Sequence, residues 1–219
     1  VNTFIGKKSV LGDISGWNME EFTKALASRG EGASAFGETT RDAFMQYAIQ
    51  YCGNDYIDSN TGKSSFDSEE FVNLIKYAAT LPEQIDYDED YDWTAYANQY
   101  RIGQTMLMPL YLYDFSNLSS CINGSFGEDV VYVGFPSADR DGSAVICGDS
   151  YAISAKSAYK DVAWEFVRYY LTDEYQTSDT IGSMPVNRDA FLKMAQRAME
   201  KPYYIDEQGQ KVEYDDIYY

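Results

Sequence analysis

Histidine is absent from all 219 residues, which removes the commonest general base and the commonest metal ligand. Nucleophile pairs of the Ser–His or Cys–His kind are excluded with it. Cysteine is scarce. Cys52, Cys121 and Cys147 match no zinc spacing, and their odd number leaves at least one unpaired; buried free thiols are expected rather than a disulfide. Positive charge is also short, with 17 basic against 35 acidic residues, a net charge of −18 and a pI near 4.2. Such a chain repels phosphate backbones and anionic lipid faces, so no nucleic-acid partner is expected, and neutral or cationic ligands are favoured. Long apolar runs are missing as well: the longest apolar window, residues 105–112, is far too short to span a bilayer.

What the chain has in surplus is tyrosine, 21 residues within an aromatic share of 16%. Tyrosine buries its ring and keeps its hydroxyl wet, which suits either a core or a recognition surface. Helical patterning is strong. In "SGWNMEEFTKALASRG", Asn18 and Glu21 have capping-box spacing and Phe22, Ala25 and Leu26 follow at helical intervals. "TTRDAFMQYAIQYCGN" carries Phe44, Tyr47, Ala48 and Tyr51 on one stripe and is expected to stop at Gly53-Asn54. "FDSEEFVNLIKYAATLP" predicts a third helix with Phe71, Leu74, Ile75 and Ala78 inward, and Asn60-Thr61-Gly62 before it a hairpin turn. A further helix is expected near 91–102. "TMLMPLYLYDF", "DVVYVGFP" and the pair "SAVIC" and "YAISA" read as strands. Ser157 is expected to cap a helix through Leu171 with Val162, Ala163, Phe166, Val167, Tyr170 and Leu171 buried, and Asn187 to cap a last helix carrying Phe191, Leu192 and Met194. Mixed strands with many helices indicate an α/β or α+β organisation.

No constellation of catalytic or metal-binding residues emerges. Asp86, Asp88, Asp90 and Asp92 alternate as in a calcium loop, but counting from Asp86 puts Tyr91 and Ala97 where glycine and glutamate belong. Carboxylates are abundant enough for a glycosidase-style pair, yet no spacing selects one. Three clusters have the character of ligand contacts. "YLYDF" sets Tyr111 and Tyr113 on one side of an extended segment. "GDSY" gathers Asp149, Ser150 and Tyr151 at a strand break, and "ETTRD" puts Thr40 and Arg41 at a helix N-terminus, where free N–H groups can meet an oxygen. Aromatic faces stack on sugar C–H surfaces while polar neighbours fix orientation. Tyr111 and Tyr113 as core aromatics, and Thr40 as a plain N-cap, are the structural alternatives.

Taken in order, "GWNMEEF", "TGKSSFDSEEFVNLIKYAATLP", "YRIGQTMLMPLYLYDF", "VVYVGFPSADRDGSAVICGDSYAISAKSAYKDVAWEFVRYYLTDEYQ" and "GSMPVNRDAF" resemble the second half of bacterial extracellular solute-binding proteins, the sugar-binding components of ABC importers. The resemblance implies a periplasmic-binding-protein-like type II α/β fold. Residues 1–133 and 184–219 would form a helix-rich second lobe, and 134–183 a detached strand and helix of the first. It implies a sugar or oligosaccharide ligand and a membrane permease as partners, no cofactor, no metal and no catalytic residue. It also implies a place in the periplasm or on the outer face of the cell membrane, by a lipid anchor in the parent protein. Tyr113 falls where the family often has a tryptophan stacking on sugar, with Tyr111 beside it; Asp149, Ser150 and Tyr151 fall in the loop beside the cleft, and Arg41 in a lobe-two loop. Two readings from other classes stand beside it: a carbohydrate-active enzyme with paired carboxylates, and a non-catalytic surface interaction module. The sequence reads as an excised piece of a longer protein, so the apolar strand and helix of 134–183 are expected to pack on a second copy, as a strand-exchanged homodimer, or to be strained and mobile.

Overall fold

The apolar run Thr3-Phe4-Ile5 needs partners on both edges and both faces, and the chain returns twice from far downstream to supply them. The computed structural model describes residues 1–87, 91–147, 150–178, 181–201 and 203–213. It divides into two compact units, Val1–Tyr111 with Cys121–Val145, and Leu112–Ser120 with Ile146–Tyr219. The first unit contains β1 (Asn2–Lys7), α1 (Lys8–Leu11), α2 (Met19–Ala27), α3 (Arg41–Tyr56), the hairpin β2 (Ile57–Asp58) and β3 (Lys63–Ser64), α4 (Glu69–Ala78), α5 (Trp93–Asn98), β4 (Met108–Tyr111) and β5 (Val130–Tyr132). The second contains α6 (Phe115–Ser119), α7 (Lys160–Tyr169), α8 (Asp173–Gln176), α9 (Arg188–Ala198) and the hairpin β6 (Tyr203–Ile205) and β7 (Lys211–Glu213).

In the first unit β1 is the central strand of an antiparallel sheet in the order β4-β1-β5. Phe4 pairs with Pro109 on β4, and Ile5 with Met108 and with Tyr132 on β5. Proline has no N–H to give a ladder, so an outer strand is where it is tolerated. The Phe4 ring is fully buried, with the rings of Phe36, Tyr47 and Tyr51 at 5.1–5.3 Å and Phe135 at 5.9 Å. Each such pair contributes about 0.5–1.5 kcal/mol beyond its buried area. Phe22, Phe44, Trp17 and Leu74 extend this core into α2, α3 and α4.

Local signals read from the sequence hold where they are self-contained. Asn18 and Glu21 exchange both capping-box bonds at 2.9 and 3.1 Å, and the side chains of Ser68 and Asn187 cap α4 and α9. Helix α3 runs past Gly53-Asn54 to Tyr56, bending at Cys52, because Tyr56 finds burial in the core. Ile75 is exposed rather than inward.

The stretch after β5 departs most from expectation. Val133 N and Gly134 N both donate to Phe4 O, Phe135 N donates to Gly142 O, and Asn2 and Ala144 exchange two bonds. Residues 134–145 are thus tied to the first unit's sheet, while 184–219 cluster with 146–183. Gly142 is needed for this closure, since a Cβ there would lie 1.7 Å from Phe135 O. "SAVIC" contributes only the single bridge at Ala144, and "YAISA" forms no strand, for no ladder partner lies beside it among the described residues. Helix α7 starts after Tyr159 without a side-chain cap, Ser157 instead accepting from Tyr159 N in a turn. Its apolar face is open: Val162 is 68% and Phe166 63% exposed.

The Phe4 site carries a direct test. Phe4→Ala is expected to cost about 3–5 kcal/mol, a large cavity at the junction of sheet and helices, read as a lowered urea midpoint. A loss under about 1 kcal/mol would place the core elsewhere.

Candidate ligand-binding site

Helix α3 and strand β4 converge on the best-defined cluster of polar aromatic groups in the first unit. Thr40 caps α3, its hydroxyl accepting from Ala43 N at 3.2 Å. One turn in, Phe44 is in the core; Tyr47 and Tyr51, four residues apart, share a helix face and lay their rings on Phe4. β4 ends at Tyr111, opposite Asn2, with its side chain half exposed. Burial of the rings raises the pKa of Tyr47, with smaller contributions from the adjacent Tyr111 hydroxyl, hydrogen bonding to it, and Tyr96. Tyr51 is raised further, by burial first and then by the Tyr111 and Tyr47 phenols, and Tyr100 by burial, Tyr96 and Tyr47.

Tyr51 is only 7% exposed, and its hydroxyl oxygen is enclosed without a hydrogen-bond partner. A phenol both donates and accepts, and the raised pKa values keep Tyr47, Tyr51 and Tyr100 protonated at neutral pH. Tyr111 is the half-exposed member of this cluster, while the Tyr51 hydroxyl is enclosed.

The expected site residues fall in several places. Tyr111 is in the phenol cluster. Thr40 and Arg41 lie on the same helix, but Thr40 is engaged as a cap, and Arg41 donates its backbone N–H to Pro82 O and pairs with Glu83 at 3.0 Å. Tyr113 is exposed in the second unit, where its carbonyl accepts from Met184 N at 2.8 Å. Ser150 is exposed, and Tyr151 stacks on Tyr170 with ring centroids 4.7 Å apart. Asp149 lies outside the described residues. Tyr47 and Tyr51 have the spacing of a core stripe and do pack on the core, but nothing in that spacing tells that Tyr111 meets their phenols. Of the alternating aspartates, Asp92 caps α5, accepting from Thr94 N and Ala95 N, while Asp88 and Asp90 lie outside the described residues. Among the described residues no group of acidic and cysteine side chains could hold a metal, and no helix is long and apolar enough to cross a membrane. The three cysteines are free, with Cys52 buried but Cys147 exposed, contrary to the expectation of burial. Burial pushes the Cys52 thiol up to about 12.

Two outcomes follow. Tyr51→Phe removes an unpartnered buried hydroxyl and is expected to leave stability unchanged or raise it by about 1 kcal/mol, whereas a drop of that size in thermal melts would show that the hydroxyl is bonded. The phenols whose pKa is raised by folding favour the folded state fully below about pH 10, the unfolded value, and lose that contribution as pH climbs toward their folded values. For Tyr77, burial sets that value at about 12. The urea midpoint should therefore fall above about pH 10, with part of the tyrosine absorbance titrating late; titration of all tyrosines together near the free value would contradict this.

Comparison with known proteins agrees with a binding protein. The model of the bacterial extracellular solute-binding protein family matches residues 1–201. No curated protein sequence matches significantly. Among solved structures, the sugar-binding protein MalE of Xanthomonas citri is similar at a TM-score of 0.55 and 15% identity, over 89% of this chain and 54% of that one. A family 1 extracellular solute-binding protein of Bifidobacterium longum subsp. infantis gives 0.49 at 19% identity, over 90% and 52%. A solute-binding protein of Thermotoga lettingae solved with α-D-tagatose gives 0.47 at 16%, over 88% and 54%. The chain thus spans about half the length of these structures. Its mixed α/β fold is that of periplasmic binding proteins, a class that holds solutes without transforming them. The chain belongs to the bacterial extracellular solute-binding protein family.

Proposed function

We propose that this chain supplies the second-lobe side of a sugar-binding cleft in an ABC importer's extracellular solute-binding protein, and that the bound sugar passes to a membrane permease. The observation that carries this is the half-exposed Tyr111 ring and hydroxyl, backed by the neutral phenols of Tyr47 and Tyr51. Such a surface suits a ligand made of hydroxyls and C–H faces. Tyr113, Asp149, Ser150 and Tyr151, and Arg41 and Thr40 at the start of α3, are further sugar contacts in this reading. The protein works on the outer side of the membrane, held by a lipid anchor in its full-length form.

Residues 1–133 and 184–219 belong to the second lobe in this reading and 134–183 to the first, with 134–145 as the crossing strap hydrogen-bonded to the sheet. The open apolar face of α7 is then the surface that the remainder of the first lobe covers. A strand-exchanged homodimer of the 219 residues is the other way to cover it. Closure of two lobes on the ligand gives such proteins their affinity, so this chain alone should bind weakly.

Titration with neutral sugars, followed by NMR of tyrosine-labelled chain, tests the proposal. The expected result is binding in the millimolar range that shifts the Tyr47 and Tyr111 signals and weakens about five- to tenfold in Tyr111→Phe, the value of one hydrogen bond. Shifts confined to other residues, or none at saturating sugar, would remove the sugar assignment.

A further inference from the structure

Beyond the phenol cluster the first unit holds a cavity of about 540 Å³, between the end of α2, the 33–39 loop, the end of α4 and Tyr91. That volume accommodates a small ligand. Its walls include Leu26, Phe36, Tyr77, Leu81 and Ile85, and among the described residues its charged groups are the exposed carboxylates of Glu38 and Asp86, with no lysine or arginine in the lining. The 33–39 loop brings Glu38 there through Gly37, which has φ +67° and leaves no room for a side chain, a Cβ falling 2.7 Å from Gln99 Oε1. Buried Gln99 is held in turn by the Thr105 hydroxyl at 2.6 Å.

Glu38 also borders an aromatic cluster. Burial, and then Glu38, raise the pKa of both Tyr87 and Tyr91, and the Tyr91 hydroxyl is enclosed without a well-aligned hydrogen bond. Tyr91 packs on Trp93 at 4.7 Å and Tyr96 at 6.2 Å, and Tyr87 stacks on Trp93 at 5.7 Å. Trp93 is 61% and Tyr87 53% exposed. Tyr96 bears electrostatically on both Tyr91 and Tyr47.

We infer that the Glu38 cavity takes a protonated amine carried on the ligand, so that the preferred ligand is an amino sugar rather than a neutral one. This rests on the sugar-binding reading and names the charge class of its ligand. A carboxylate without a competing cation attracts an ammonium group, and the tyrosine faces beside it add cation–π attraction. Partly exposed, the two together set a preference of about tenfold. The chain's net charge of −18 draws the same class of ligand by long-range attraction.

The test is an NMR titration of the 219-residue chain, below the amine's pKa, with three probes: a glucosamine disaccharide with free amines, its N-acetylated counterpart, and ethanolamine. The free-amine disaccharide should shift the Trp93 indole and Tyr91 signals and bind about tenfold more tightly than the N-acetylated form. Glu38→Gln should bring the two forms together, and Asp86→Asn should narrow the gap. Equal binding of both disaccharides, unchanged in Glu38→Gln, overturns the inference and leaves sugar binding intact. Ethanolamine shifting the same signals while neither disaccharide binds keeps the amine site and overturns the sugar reading. No shift from any probe overturns the inference. Circular dichroism of each variant confirms that its fold is retained.

Discussion

The burial of Phe4 at the middle of β1 is the constraint on which the first unit depends. Its strand has both edges occupied, by β4 and β5, and its backbone carbonyl receives the N–H groups of Val133 and Gly134. Its ring is the floor on which Tyr47 and Tyr51 lie. The two tyrosines must therefore point their hydroxyls away from the sheet, toward the end of β4 where Tyr111 stands. A one-residue slip of β1 would turn Phe4 to the opposite face and take away the support for the phenol cluster.

Within the proposed sugar-binding reading, the phenol cluster of this acidic, histidine-free chain offers hydrogen bonds without carrying charge. Phenols with raised pKa values are neutral over the whole physiological range, so they can donate and accept without the desolvation cost of a carboxylate. The carboxylates lie around them. Glu38 is set at the edge of the aromatic region by a glycine turn, where a negative charge can select the ligand without interrupting the stack.

The second unit shows the same physics with an apolar helix face left exposed. Helix α7 has amphipathic spacing but little to bury its apolar face among the described residues, and Val162 and Phe166 remain open to solvent. Amphipathic spacing is a local property of the helix and is kept whether or not a neighbour covers its apolar face. The same reasoning accounts for "YAISA", whose β-prone composition yields no ladder without a neighbouring strand.

What the sequence by itself determined was whatever a few neighbouring residues settle between them. The capping box of Asn18 and Glu21, the caps at Ser68 and Asn187 and the hairpin turn at residues 60–62 were all legible, because a side chain bonding a backbone group three residues away needs no other part of the chain. Family membership was legible too, since it rests on motif order. Tertiary structure alone decided which tyrosines gather their hydroxyls into one cluster. Tyr47 and Tyr51 have the spacing of a buried stripe, and only the approach of β4, some sixty positions later, puts Tyr111 against their hydroxyls. It likewise decided that 134–145 straps onto β1 and that α7 stays open. Burial depends on a distant partner that arrives or does not, and local periodicity carries no information about that partner.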